Sequence, residues 1–523
     1  VVCVKRSLPF VATLVAATAL LSGCVPLLGA NPRYASDSGH PGGSGPTPTT
    51  APPDGPPEIA APKKDLAWSP CTTQVFGDAG VPAPAGVMLD CATYDADLDP
   101  IGGASGTVSI GVVRAKTAAT PADAGPLVVT TGSDVPTSVQ LPQWLSRSGG
   151  DVLEARPIVA VDRRGMGRSS AVDCRDLFDR QEMANQAQFE SGDDPVASLG
   201  AITLTATTSC TDALAPGDSA YDNARAAEDL ERLRSSWDVP RLAVLGIGNG
   251  AQVAMAFAGS HPDKVARLVL DSPIPYGVGA EMAADQQAKG QQAALDAFAT
   301  QCAATNCPLG PDPKGAVNAL LADARAGRGP GGASVAALAN GLITALGFPV
   351  GDRVASTNRL AQILASARSG DSGPIMDLVT QSESLREADG QFINRCSDAL
   401  NRPTPDRVRE LVVAWNKTYP QFGTVAALNL VKCLNWPSGT APQDPKNLKV
   451  GVLLMGVQND PIAGNEGVAA TAATVINAGA ASKRVIWQGI GHGASIYSSC
   501  ALAPLISYID SGKTPETDTY CPA

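Results

Sequence analysis

Short apolar runs separated by longer amphipathic stretches set the rhythm of this chain. Pro126-Leu127-Val128-Val129-Thr130-Thr131 and Pro157-Ile158-Val159-Ala160-Val161 predict short buried strands, and the partly alternating run from Gly106 to Arg114 predicts another. The stretch from Ala224 to Arg234 carries a helical apolar face and leads into the strand-like Leu242-Ala243-Val244-Leu245. Ala266 to Asp271 reads as the next strand, and sheet language returns in Leu448 to Met455 and Arg484 to Trp487. Strands alternating with helices predict an α/β fold, a mostly parallel sheet with helices on both faces. Between about 276 and 442 the alternation stops, and an alanine-rich helical stretch follows, broken by a loop at Gly327 to Gly332. A helical insertion that splits a sheet predicts a cap over one end of it. The expected body is therefore 66–275 and 443–523, with the cap at 276–442.

One turn stands out in this pattern. Leu245-Gly246-Ile247-Gly248-Asn249-Gly250-Ala251 ends an apolar run in spaced glycines, and the small-residue helical pattern Val253 to Ala258 follows. A strand entering a sharp turn and leaving as a helix needs glycines where backbones pass closely or φ turns positive.

Composition and charge narrow the possibilities. With 50 acidic against 39 basic residues and no basic stripe, the chain offers no footprint for nucleic acid. No Cys-x-x-Cys pair or histidine cluster predicts a metal site, and no motif calls for a cofactor. The run Asp162-Arg163-Arg164-Gly165-Met166-Gly167-Arg168-Ser169 lacks the Gly-Lys-Ser/Thr ending of a phosphate loop and reads as a structural turn. Lys5 and Arg6 followed by the apolar run Leu8 to Leu21 predict a signal peptide over 1–23. Leu21-Ser22-Gly23-Cys24 then matches a lipobox, which predicts lipidation at Cys24, export and anchoring on the outer face of the cell membrane. Residues 24–65, rich in Pro, Gly and Thr, predict a tether. Beyond Cys24 there are ten cysteines, and their spacing suggests the local pairs Cys71–Cys91, Cys174–Cys210, Cys302–Cys307, Cys396–Cys433 and Cys500–Cys521.

These features together resemble the secreted tripeptidyl-aminopeptidase-like branch of the α/β-hydrolases, related to proline iminopeptidases. The residues that carry the resemblance are Trp68-Ser69-Pro70-Cys71, the run Val161 to Ser170, the glycine turn, Asn459-Asp460-Pro461, Gly491-His492-Gly493, and the ending from Cys500 to Cys521. The resemblance implies the α/β-hydrolase fold and a site in which a serine attacks, a histidine takes its proton and a carboxylate orients the histidine. Asp460 and His492 fall where the acid and base belong, although an Asp-Pro turn would also want Asp460. The serine position is Gly248, which has no hydroxyl. Asn249 and Ser133 are the expected oxyanion residues. The loop Thr131-Gly132-Ser133-Asp134-Val135-Pro136 departs from the family's Gly-Gly-Pro-Gly pattern, and Asp134 would set an anion beside a developing oxyanion.

The expectation is an exported lipoprotein with an inactive hydrolase site and a retained pocket for a peptide or small envelope ligand. An active exopeptidase or esterase with a relocated nucleophile, at Ser133 or Ser138, and a purely structural envelope protein are the alternatives. In the inactive site, His492 Nε2 should face Gly248 across a space sized for the missing hydroxymethyl. Family members select a substrate amino terminus with cap carboxylates; Glu383 and Glu387 lie in a charged helical stretch that reads as a solvated face.

Overall fold

The computed structural model describes residues 55–437, 439 and 441–523. The signal-peptide and lipidation expectations, Cys24 included, lie outside the described residues. Ten strands form one sheet: β1 (Ser69–Pro70), β2 (Met88–Asp97), β3 (Thr107–Lys116), β4 (Leu127–Thr130), β5 (Ile158–Val161), β6 (Leu242–Ile247), β7 (Val265–Asp271), β8 (Val452–Asn459), β9 (Ser482–Ile490) and β10 (Thr519–Cys521). Their order is β1-β2-β3-β5-β4-β6-β7-β8-β9-β10. The β1–β2, β2–β3 and β3–β5 pairs are antiparallel. All pairs from β5 through β10 are parallel.

The apolar runs are continuous because both faces of the sheet are covered. Along β6, Leu242 and Val244 pack into the core on one face, while Ala243, Leu245 and Ile247 pack into the core on the other. The strands over 107–116, 127–130, 158–161 and 265–271 follow the apolar pattern closely. The run at 448–455 begins its strand later, at Val452.

The chain leaves the sheet after β7 and returns at β8. Between them lie helices from Ala280–Ala304 to Gly423–Asn429, which bury their own core around Phe298, Leu342 and Phe422. Helices Leu177–Ala184 and Pro195–Leu214, which precede β6, pack Met183 and Leu199 with Phe392, Trp415 and Val431 of this layer. The helical layer therefore draws on two insertions, one of which the sequence pattern leaves with the body. Sequence periodicity marks a helix's apolar face but carries no address for the surface that covers it.

The expected tether boundary at Asp65 also moves. Residues 55–65 lie along the body: Ala60 bridges Ala124, Lys63 N–H donates to the Trp237 carbonyl at 2.9 Å, and the Pro57 carbonyl accepts from Arg267 Nη1 at 2.7 Å. Proline-rich chain has few donors, but its carbonyls are free to accept: Arg267 uses one, while a remaining donor, Lys63 N–H, meets the carbonyl at a core helix end. All five cysteine pairs are joined as their spacing suggests, with Cα–Cα distances of 5.8, 4.8, 5.1, 4.9 and 5.7 Å. Among the described residues no helix is long and apolar enough to cross a membrane.

Candidate active site

The site is assembled at the carboxyl ends of the parallel strands, where loops leave the sheet. β6 ends at Ile247, and Gly248 turns the chain with φ 58° and ψ −122° into the helix Asn249–Ser260. The flanking glycines are steric necessities. A Cβ on Gly250 would meet the Thr130 carbonyl of β4 at under 3.0 Å, and one on Gly246 would meet the Gly250 carbonyl equally closely. Helix and sheet can approach this closely only without those carbons.

Asp460 directly follows β8, and His492 follows β9 between Gly491 and Gly493. Both are buried. His492 Nδ1 lies 2.9 Å from Asp460 Oδ2 and 3.1 Å from Oδ1. Asp460 Oδ1 also accepts the N–H groups of Ile462 and Ala463, at 2.8 and 3.0 Å. The turn-starting role and the histidine-orienting role are thus filled by one carboxylate. Phe348, from the helical layer, stands edge-on to the imidazole with ring centroids 6.0 Å apart. A second buried acid, Asp271 at the end of β7, locks the far side of the histidine loop. Its carboxylate accepts from Ala494 N–H, Ser495 N–H and Ser495 Oγ, while its backbone carbonyl accepts from Gly248 N–H.

The other face of His492 departs from expectation. The space over Gly248 is not empty: the Asp134 carboxylate fills it. Asp134 Oδ2 accepts the Asn249 N–H at 2.7 Å and forms an ion pair with His492 Nε2 at 3.3 Å. A Cβ built on Gly248 would fall within 3.0 Å of Asp134 Oδ2, His492 Nε2 and His492 Cε1. The sequence flags Asp134 as an adverse charge near the oxyanion; the fold makes it the occupant of the nucleophile's own volume.

Both expected oxyanion residues are engaged within the protein. The Asn249 N–H is taken by Asp134, and the Ser133 N–H donates to Asn249 Oδ1 at 2.9 Å. Asn249 Oδ1 also accepts from Arg163 Nη1 at 2.7 Å, and Arg163 pairs with Asp398 of the helical layer at 2.7 Å. The arginines of the 162–169 turn therefore brace the strand-to-helix elbow at Gly248, Arg163 toward the cap and Arg164 toward Asp229. Ser138, a candidate relocated nucleophile, donates its hydroxyl to Asp162 Oδ2 at 2.7 Å and takes no part in this arrangement.

The electrostatics follow from burial and sandwiching. Burial opposes charge on His492, but Asp460 and Asp134 on its two sides outweigh it and push its pKa up to about 10. Burial pushes the Asp134 carboxyl up, yet the His492 ring and the Asn249 N–H hold it below its ordinary range. The imidazolium favoured at neutral pH stands between the Asp460 and Asp134 side chains. An imidazolium cannot accept a proton as general base. The Asp134 oxygen facing it accepts the Asn249 N–H and lies 3.3 Å from Nε2, an ion pair without hydrogen-bond geometry.

With this geometry in view, comparisons with known proteins locate the fold. Residues 133–314 match the family model described as alpha/beta hydrolase fold, and residues 419–521 match the model described as TAP-like protein. The chain has the α/β-hydrolase fold. Residues of this chain are 25% identical over 321 positions to the serine protease Hip1 of Mycobacterium tuberculosis strain H37Rv, and equally to that of Mycobacterium bovis. Each alignment covers 60% of this chain and 55% of the relative, so the chain spans about half the length of the curated relatives it matches. Among solved structures, esterase E22 superimposes with a TM-score of 0.41 at 13% identity, covering 80% of this chain and 99% of the esterase. A thermophilic esterase from Thermogutta terrifontis gives 0.35 at 14% identity, with coverages of 80% and 96%. The family-model and relative matches support a peptidase-like place within the α/β-hydrolases.

Sequence reasoning finds Gly248, Asn249, Ser133, Asp460 and His492 from motif order. It misses Asp398 and Phe348 altogether, since both reach the site from the cap. Asp271 carries a visible signal, an acid ending an apolar strand.

Proposed function

We propose that this protein is an exported envelope lipoprotein, anchored through Cys24, whose hydrolase site is catalytically silent and whose pocket beneath the cap holds a peptide or small envelope ligand. The observation that carries this reading is the Asp134 carboxylate standing over Gly248, in the volume a nucleophile would need. Loss of a serine alone leaves an empty slot. Here the slot is filled, the Asn249 donor is taken, and the base is held protonated. A cavity of about 260 Å³ remains open from the elbow up into the cap, bounded by Asn249 and Ser133 below and by Phe392 and Leu430 above. Five disulfides support export to an oxidising compartment.

The test is active-site labelling of the purified protein with a fluorophosphonate probe. The expected result is no adduct under conditions that fully label a serine hydrolase. A stoichiometric adduct mapped to Ser133, or to any other serine, would replace this reading with that of an active hydrolase using a relocated nucleophile.

A further inference from the structure

The cavity's charges do not balance, and the imbalance has a direction. Each carboxylate that lines it already has a cation: Asp134 has His492, Asp222 has Arg225 at 2.6 Å, Asp398 has Arg163, and Glu387 has Lys432 at 3.0 Å. Of the lining arginines, Arg175 is paired with an acid, whereas Arg402 has no carboxylate partner among the described residues and keeps an unpartnered Nε. Arg175 pairs with Asp389 at 2.8 Å, and Arg402 donates to the Cys396 and Pro437 carbonyls at 2.8 and 3.0 Å.

Arg386 has no carboxylate partner among the described residues, and Arg395 has only a distant one. Arg386 ends the helix Gly373–Arg386, and its Nε and Nη1 are shielded from solvent with no hydrogen-bond partner among the described residues. Arg395, on the helix Asp389–Asp398, reaches Glu387 only at 3.7 Å and the Asp134 backbone carbonyl at 3.4 Å. A guanidinium taken out of water without an acceptor is costly, and arginine's planar fork is shaped for carboxylate or phosphate. The uncharged part of the wall is mixed: Ile274, Val278, Ile343 and Ile462 face the same space as Gln287, Gln291 and Asn340.

Building on the retained-pocket reading above, we propose that the cavity takes an anionic ligand, a carboxylate or phosphate on an apolar body, whose charge is held by Arg386 and Arg395. The cap acid Glu387 is not free to receive a substrate amino group. It is half-buried, and although burial pushes its pKa up, Lys432 and Arg395 outweigh this and hold it at about 2. The recognition group of this pocket is therefore cationic, and a ligand presenting an ammonium group meets two arginines. Burial and the neighbouring Arg395 push the Arg386 guanidinium down to about 10, the direction that a bound anion reverses.

The experiment is calorimetric titration of the full chain with octanoate, octyl phosphate, octylamine and 1-octanol. Octanoate or octyl phosphate should bind, with the preference between them reporting which acid the site favours, and octylamine should not. Arg386→Gln should weaken anion binding by about tenfold or more, the value of a charge-assisted hydrogen bond. Urea unfolding of the ligand-free variant separates this from damage: removing an unpartnered buried charge should leave stability unchanged or raised. If Arg386→Gln does not fold, Arg395→Gln carries the same binding test. Octanol binding as tightly as octanoate, or anion binding untouched by the arginine variants, would overturn the anion assignment while leaving a ligand-holding pocket in place. Binding of none of the four probes would overturn the assignment and the pocket reading together.

Discussion

Placing a serine at the elbow should fail unless Asp134 is removed with it. Beyond the His492 ring, which any side chain at 248 must push back in single and double variants alike, the Gly248→Ser side chain meets two obstacles. The backbone at φ 58° and ψ −122° is strained for any residue with a Cβ, at about 1–3 kcal/mol. The Cβ also overlaps Asp134 Oδ2, so the carboxylate must swing away from the Asn249 N–H, forfeiting a charge-assisted bond of roughly 1.5–3 kcal/mol. The single variant should therefore lose about 2.5–6 kcal/mol from these two contributions. Asp134→Ala alone loses the second contribution. In the double variant Gly248→Ser/Asp134→Ala that contribution is counted once, so the two changes should fall short of additivity by about 1.5–3 kcal/mol. Urea unfolding of the four proteins measures this coupling. Fluorophosphonate labelling measures the chemistry: the double variant should form an adduct at position 248 and the single variant should not. Ester hydrolysis by the double variant should still be slow, because Ser133 N–H is committed to Asn249 Oδ1 and one missing oxyanion donor lowers rates by about 100- to 1000-fold. Additivity within about 0.5 kcal/mol, or equal labelling of the single and double variants, would refute the claim that Asp134 occupies the nucleophile's place.

Two further expectations concern the charge sandwich. Because His492 is raised from 6.5 to about 10 in the folded protein, its contribution to stability should be fully present below pH 6.5 and be lost as pH rises through 10. Asp134→Asn removes one flanking charge, so imidazole NMR should show His492 titrating at lower pH and the stability loss should begin earlier; an unchanged titration would contradict the ion pair. Asp460→Ala strips the Ile462 and Ala463 N–H groups of their acceptor and leaves the buried ring without its nearer carboxylate, at roughly 3–5 kcal/mol in urea unfolding. Asp460→Asn keeps an acceptor oxygen and should lose measurably less.

Much of this protein is written locally. The strands at 107–116, 127–130, 158–161 and 265–271 follow from apolar runs, because a strand buried on both faces must be apolar throughout. The glycine spacing around Gly248 announces the turn, because positive φ and close backbone contact are properties of single positions. Asp460 and His492 can be picked out by their order behind that turn, and the cysteine pairs by their spacing. What the tertiary structure decided is what meets what. Asp134 lies 114 positions from Gly248 and 358 from His492, and only the adjacency of β4, β6 and the β9 loop brings its carboxylate over the glycine. Periodicity could place Arg386 and Arg395 on charged helices but not turn them inward, since a helix's polar face looks the same whether it meets water or a cavity. The balance of charge in a pocket is a sum over elements distant in sequence, and that sum exists only once the chain has folded.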